Sequence, residues 1–211
     1  MKKLLLLLFV SIPFAGLAQM FNGGVLAGGV VSQVDGDSWE GYHKFGFLAG
    51  GYVSLRVSPH SSFQMEMEYI QKGSRKNQDL ENNDFNSYLL RLHYLEIPIL
   101  YQYTFARRFS AEIGPAADIL LGSYEEAYDA NGQKGTNLVP LRTFTLSGII
   151  GIAGYITNHL KANFRFNYSL LSIRDATSPY PEGYRKILFE WGQYNNVLSV
   201  SLCWDLKSND F

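Results

Sequence analysis

Charged side chains recur at alternate positions in several stretches of this chain. Glu66 and Glu68 are two apart, and Lys161 and Arg165 four apart; Arg56, Glu96, Glu112, Asp118 and Asp205 fall in stretches of the same kind. These nine residues comprise six carboxylates and three bases. If the alternation is that of a strand, each charge points to the polar face. Enclosed charges must pair, because an unpaired buried charge is too costly. The expected result is a plug of salt bridges and hydrogen bonds. A proton or ion path, or a gate whose pairs exchange, is the sharper reading. Excess carboxylates would need protons, Tyr hydroxyls or bound water.

Catalytic patterns are missing from the same residues. A lipid-acyl hydrolase needs a His that activates a Ser and is oriented by a carboxylate. No Gly-x-Ser-x-Gly elbow accompanies His43, His60, His93 or His159. The single Cys203 and the scattered His exclude the usual zinc spacings. Asp35–Gly36–Asp37 and Asp129–Ala130–Asn131–Gly132 read as turns, too short for an EF-hand loop. No catalytic residue, metal or cofactor is expected. Trp39, Tyr42, Tyr124, Tyr128, Tyr180, Tyr184 and Trp191 fall in long connections beside acids. They could bind a partner, a glycan or a cation, or fold on one another and on lipopolysaccharide.

The elements that position these residues are alternating segments. In His159–Ser172, Leu160, Ala162, Phe164, Phe166, Tyr168 and Leu170 share one face, and Lys161, Asn163, Arg165, Asn167 and Ser169 the other. Ser62–Lys72, Tyr94–Tyr103 and Val197–Leu206 behave alike. Asn22–Gln33, Phe45–Val57, Phe109–Leu121 and Arg142–Ile156 are weaker, three of them rich in Gly. That makes eight strands of about 10–13 residues, long enough to cross a bilayer when tilted. Pro98 removes a ladder donor mid-strand, which suits a bulge or an edge. Such a defect could aim Glu96 inward, or open a place for a partner strand at Glu96 and Pro98.

Connections alternate between long and short. Asp35–Lys44, Gly73–Ser87, Glu125–Pro140 and Arg174–Gln193 are long; Ser58–Ser61, Thr104–Arg108 and Thr157–Asn158 are short. Long loops on one rim and tight turns on the other are the pattern of outer-membrane barrels. The termini and turns would then be periplasmic and the long loops extracellular. A soluble lipocalin-like barrel also alternates, but would bury its apolar face. Aromatics near strand ends on the apolar face (Tyr69, Tyr101, Tyr103, Phe109, Tyr168, Trp204) favour a membrane-interface girdle.

Met1–Lys2–Lys3, the apolar run Leu4–Val10, and Gly16 and Ala18 before Gln19 read as a secretory signal peptide. Residues 1–18 are therefore expected to be removed, leaving a barrel domain over 19–211. A net charge of −1 argues against nucleic-acid binding. Charged residues at 18% and aromatics at 15% argue against disorder. The expectation is all-β: an eight-stranded antiparallel transmembrane β-barrel with an up-and-down meander, in the outer membrane of a Gram-negative bacterium.

Tyr94–Leu95–Glu96–Ile97–Pro98–Ile99–Leu100–Tyr101 resembles a recurring strand of the PorT-like outer-membrane β-barrel proteins of Bacteroidota. Ala18–Gln19, the Gly-rich strand after Phe21, and Phe63–Gln64–Met65–Glu66–Met67–Glu68–Tyr69 with Lys72–Gly73 support the likeness. It spans essentially the whole chain after the signal. It implies a non-enzymatic barrel with a structural or accessory role in type IX protein secretion. Expected partners are outer-membrane lipid and lipopolysaccharide, the assembly machinery during biogenesis, and secretion components. A narrow pore, or a barrel binding external ligands, is the alternative.

Overall fold

The computed structural model describes residues 21–39, 41–135, 139–174, 183–187 and 190–208. The expected signal segment, Tyr180 and the terminal Phe211 lie outside the described residues. Eight long strands follow one another: β1 (Phe21–Asp35), β2 (Lys44–Arg56), β3 (Ser61–Lys76), β4 (Ser87–Ala106), β5 (Phe109–Tyr128), β6 (Phe144–Tyr155) and β7 (Leu160–Ser169). After a short hairpin, β8 (Arg185–Ile187) and β9 (Glu190–Gly192), comes the last long strand, β10 (Tyr194–Asp205). All eight pair antiparallel with their neighbours, and β1 meets β10 from Gly24–Asp205 to Asp35–Tyr194. The sheet closes into a barrel, which leaves no unpaired edge.

Short connections at 57–60, 107–108 and 156–159 gather at one rim. The strand ends that flank the connections 36–43, 77–86, 129–143 and 170–193 lie at the other. The strands are longer than the alternation suggests, with β4 and β5 each 20 residues long. Gly73–Lys76 and Glu125–Tyr128 are strand rather than loop. The cause in β5 is a register shift at His93/Tyr94, opposite Leu120–Gly122. One extra residue flips every side chain beyond it to the other face. Asp118 faces inward below the shift; above it Glu125 faces inward while Tyr124 and Tyr128 face outward. A strict period of two cannot follow such a strand, so its upper end reads as loop.

The two faces of the wall are inverted relative to a soluble barrel. Phe47, Met65, Met67, Ile99, Ile113, Ile150, Phe164 and Val200 are all about half exposed on the outside. Gln64, Glu66, Glu68 and Glu96, at alternating positions of β3 and β4, are at most 2% exposed. Apolar outside and polar inside is what lipid requires, because it solvates hydrocarbon and not charge. Rings mark the short-turn rim: Phe63 lies 5.5 Å from Tyr101, and His159 stacks on Trp204 at 5.5 Å. The lumen is not polar throughout. Towards the long-loop rim Val30, Val34, Ile70, Leu90, Leu92, Tyr94 and Val197 form a buried apolar cluster with Ile173 of the last loop.

Pro98 sits neither at an edge nor at a bulge. The β3–β4 ladder runs to Met65–Ile99, omits two pairs, and resumes at Glu68–Glu96 in the same register. The β4–β5 ladder likewise omits the pairs between Pro98–Ala116 and Tyr101–Ile113. A closed barrel holds the strand from both sides, so a missing donor costs local pairing without shifting the register.

Candidate functional site: the filled lumen

Alternation places one inward side chain from each strand at each level, and the closed ring brings distant strands face to face. Arg165 on β7 reaches across the lumen to Glu66 on β3. Its Nη1 and Nη2 donate to the two Glu66 oxygens at 2.7 Å each, and its Nε donates to Glu112 on β5 at 2.8 Å. Gln102 Nε2 donates to Glu112 at 2.8 Å and to Gln64 at 3.0 Å. Gln64 in turn donates to Glu66 at 2.5 Å, closing a ring of bonds across the barrel. The guanidinium is 4% exposed and both carboxylates 2% or less. Every formal charge in this layer therefore has a partner, as burial demands.

A second layer lies one step towards the long loops. Lys72, fully buried, donates to Glu96 and, at 2.8 Å, to Asp118. Asn167 Nδ2 donates to both Glu96 oxygens at 2.9 Å, and Ser147 Oγ to Asp118 at 2.8 Å. Glu68 faces Glu96 directly in the ladder, and its Oε2 is buried without a hydrogen-bond partner. This layer carries three carboxylates around one ammonium. Below both layers, Lys161 lies over the Tyr52 and Tyr155 rings at 5.4 and 5.8 Å and donates to Gln64 at 3.3 Å. The Tyr52 hydroxyl donates to Asp205.

Eight of the nine expected lumen residues are thus buried inside the barrel. Arg56 is the exception: it ends β2 exposed at the short-turn rim and belongs to the mouth, not to the network. Lys72 is the main omission, because in the sequence the Lys72–Gly73 pair reads as the end of the strand, whereas β3 runs on to Lys76. Continuing the period from Glu66 and Glu68 through Ile70 finds it. Glu96 and Pro98 are both buried on the lumen side, so the closed barrel offers neither to an outside partner.

The expected loop aromatics do not form one cluster. Tyr124 and Tyr128 stand on β5, and Trp191 on β9. Tyr184 is buried, while Trp39 packs on the apolar cluster with Lys76 Nζ 4.0 Å from its ring centre. The Tyr42 hydroxyl donates to Asn196 at 2.5 Å. Here the last long loop sends Arg174 over the lumen. Its Nη2 lies 2.6 Å from both Glu125 oxygens and its Nε 2.7 Å from Gln193. The Glu125 carboxylate beside it holds the proton on Arg174 still more firmly than usual, against the effect of burial. In the first loop, burial pushes Asp37 up to about 6, against the Ser74 hydroxyl and the Trp39 N–H that favour its anion.

Among the described residues no hydrogen bond joins an imidazole nitrogen to a serine hydroxyl. His93 Nδ1 lies 2.5 Å from the Tyr69 hydroxyl on the outer face, and His159 Nδ1 2.9 Å from the Asp205 carbonyl. Among the described residues no group of three or more His, Cys, Asp or Glu could hold a metal ion.

A closed antiparallel ring with a lipid-compatible exterior and an ion-paired interior defines a transmembrane β-barrel. The family model "Outer membrane protein beta-barrel domain" matches residues 15–175, and the chain belongs to that family. It is an outer-membrane protein. No curated protein matches it. Among solved structures it is similar to Neisserial surface protein A, at 9% identity and TM-score 0.50, covering 86% of this chain and 96% of that one. Ail of Yersinia pestis, solved with the heparin analogue sucrose octasulfate, is similar at 8% identity and TM-score 0.49, covering 88% and 99%. OprG of Pseudomonas aeruginosa gives 10% identity and TM-score 0.38, covering 89% and 95%. At such identity the neisserial likeness supports the fold alone.

Proposed function

We propose that this chain is a non-catalytic, non-conducting outer-membrane barrel whose lumen is a structural plug. The observation that carries this is Arg165, which ties β7 to β3 and β5 across the lumen with both its carboxylate partners buried. Ion flow would have to break those bonds inside a narrow barrel. Purified protein in a planar bilayer should give no reproducible single-channel steps. Steady steps would replace the plug with the pore reading.

The PorT-like strand Tyr94–Tyr101 supports a finer assignment: an accessory role in type IX secretion in a Bacteroidota-type outer membrane. In this reading residues 1–18 are the export signal, 19–211 form the barrel, and termini and short turns face the periplasm. The long loops then meet lipopolysaccharide outside. Comparing surface and culture-fluid proteins of a deletion strain with its parent tests the role. Cargo trapped in the periplasm supports it; an unchanged exported set removes it. The enzyme alternative predicts an altered lipid A mass on overproduction, and we expect an unchanged one.

A further inference from the structure

The barrel is filled in its middle but open at the short-turn rim. There a vestibule of about 980 Å³ runs from the turns down to Lys161. Its wall carries Arg56, Arg107, Arg108, Lys161 and Lys207, against one described acid, Asp205. Arg108 and Lys207 hydrogen-bond the Ile156 and Phe21 carbonyls, and Arg56, Arg107 and Lys161 line the same vestibule. The one acid is already engaged by the hydroxyls of Tyr52 and Tyr155. Hydroxyls of Ser54, Ser58, Ser62 and Thr104 line the same space.

The floor is the second observation. Lys161 is 3% exposed, yet no carboxylate of the described residues lies within ion-pair distance of it. Its contacts are a 3.3 Å bond to Gln64 and two aromatic faces. A buried ammonium held only by a long amide bond and rings is under-compensated, unlike Lys72 and Arg165 above it. In the layer above, Glu66 and Glu112 hydrogen-bond Arg165, and neither closes an ion pair with Lys161. An anion entering from the open rim would meet Lys161 at the end of a funnel of guanidinium groups, which suit oxyanions through paired N–H donors.

We infer that this vestibule is an oxyanion site that takes a phosphate group, with Lys161 at its base and Arg56 and Arg107 at its mouth. The inference rests on the barrel alone and stands whether or not the secretion role does. A free phosphate compound or a phospholipid headgroup could bring that chemistry.

The test uses the full-length barrel in zwitterionic detergent, titrated with inorganic phosphate at constant ionic strength set by chloride. Thermal unfolding and isothermal titration are both read. We expect saturable binding and a rise in melting temperature that chloride does not give. Arg56→Gln with Arg107→Gln, both at the exposed mouth, should weaken binding at least roughly tenfold, the usual size of a lost charge-assisted bond. Lys161→Gln should abolish it. Since that variant alters a buried layer and with it the fold's stability, the mouth pair keeps the test independent, and Arg91→Gln at the other rim should bind as the parent does. Phosphate acting no better than chloride, or undiminished binding in the mouth variant, would overturn the site. Nanodiscs separate the sources. Phosphate protection in pure phosphatidylcholine assigns a free phosphate, and protection by phosphatidylglycerol without added phosphate assigns the headgroup.

Discussion

Arg165 and Glu66 are 99 positions apart in the chain and joined by two parallel 2.7 Å bonds across the barrel. The strands that carry them, β7 and β3, are not neighbours in the ring. The pair therefore acts as a strut, and Glu112 completes it from β5.

Arg165→Met should be severely destabilising, because it leaves two buried carboxylates without a cation. The expected loss is about 3–5 kcal/mol, as for breaking other buried pairs. Urea unfolding in liposomes, followed by the heat-modifiable gel shift, measures it. A loss under about 1 kcal/mol would mean that water reaches this layer and the lumen is not a plug.

Glu68→Gln should be neutral or stabilising by up to about 1 kcal/mol. Glu68 stands directly opposite Glu96, where like charges repel, and one of its oxygens has no partner. The same unfolding assay decides. Clear destabilisation would show that the Glu68 carboxyl makes a bond that its amide cannot replace.

The first long loop should loosen as pH rises. Asp37 is pushed up to about 6 by burial, from an unfolded value near 3.8. A raised acid is protonated more readily in the folded loop than in the open one. Its stabilisation is full below about 3.8 and lost as pH passes through about 6. From pH 5 to 7 the opening equilibrium at Trp39, whose N–H donates to Asp37 at 2.8 Å, should rise roughly tenfold. Hydrogen exchange, corrected for its intrinsic pH dependence, reads this. Asp37→Asn should flatten the profile; an unaltered slope in that variant would assign the effect to another group.

Gly114→Ala should destabilise the barrel by about 1–3 kcal/mol. A Cβ there would overlap the Ile99 carbonyl, a backbone atom that cannot turn aside. The β4–β5 ladder omits its pairs here, and the Ile99 backbone lies too close to Gly114 for a side chain. A variant as stable as the parent would show that the gap can widen, and that Pro98 leaves this seam soft.

Period-two alternation determined most of the architecture without any tertiary information. Glu66, Lys161 and Arg165 face inward because β3 and β7 keep strict phase between hydrocarbon and lumen. The alternation of long and short connections likewise follows from an up-and-down ring. The sequence does not reveal which charges meet, since pairing across the lumen depends on closure and on the stagger between strands far apart in the chain. It also misses what breaks phase. The shift opposite Leu120–Gly122 turns Glu125 inward to receive Arg174, and that turn exists only because β5 carries one residue more than β4 can pair. Arg56 marks the same limit at the other end. Its parity is that of the lumen, but the ring ends beneath it, so the tertiary structure makes it part of an open, basic mouth.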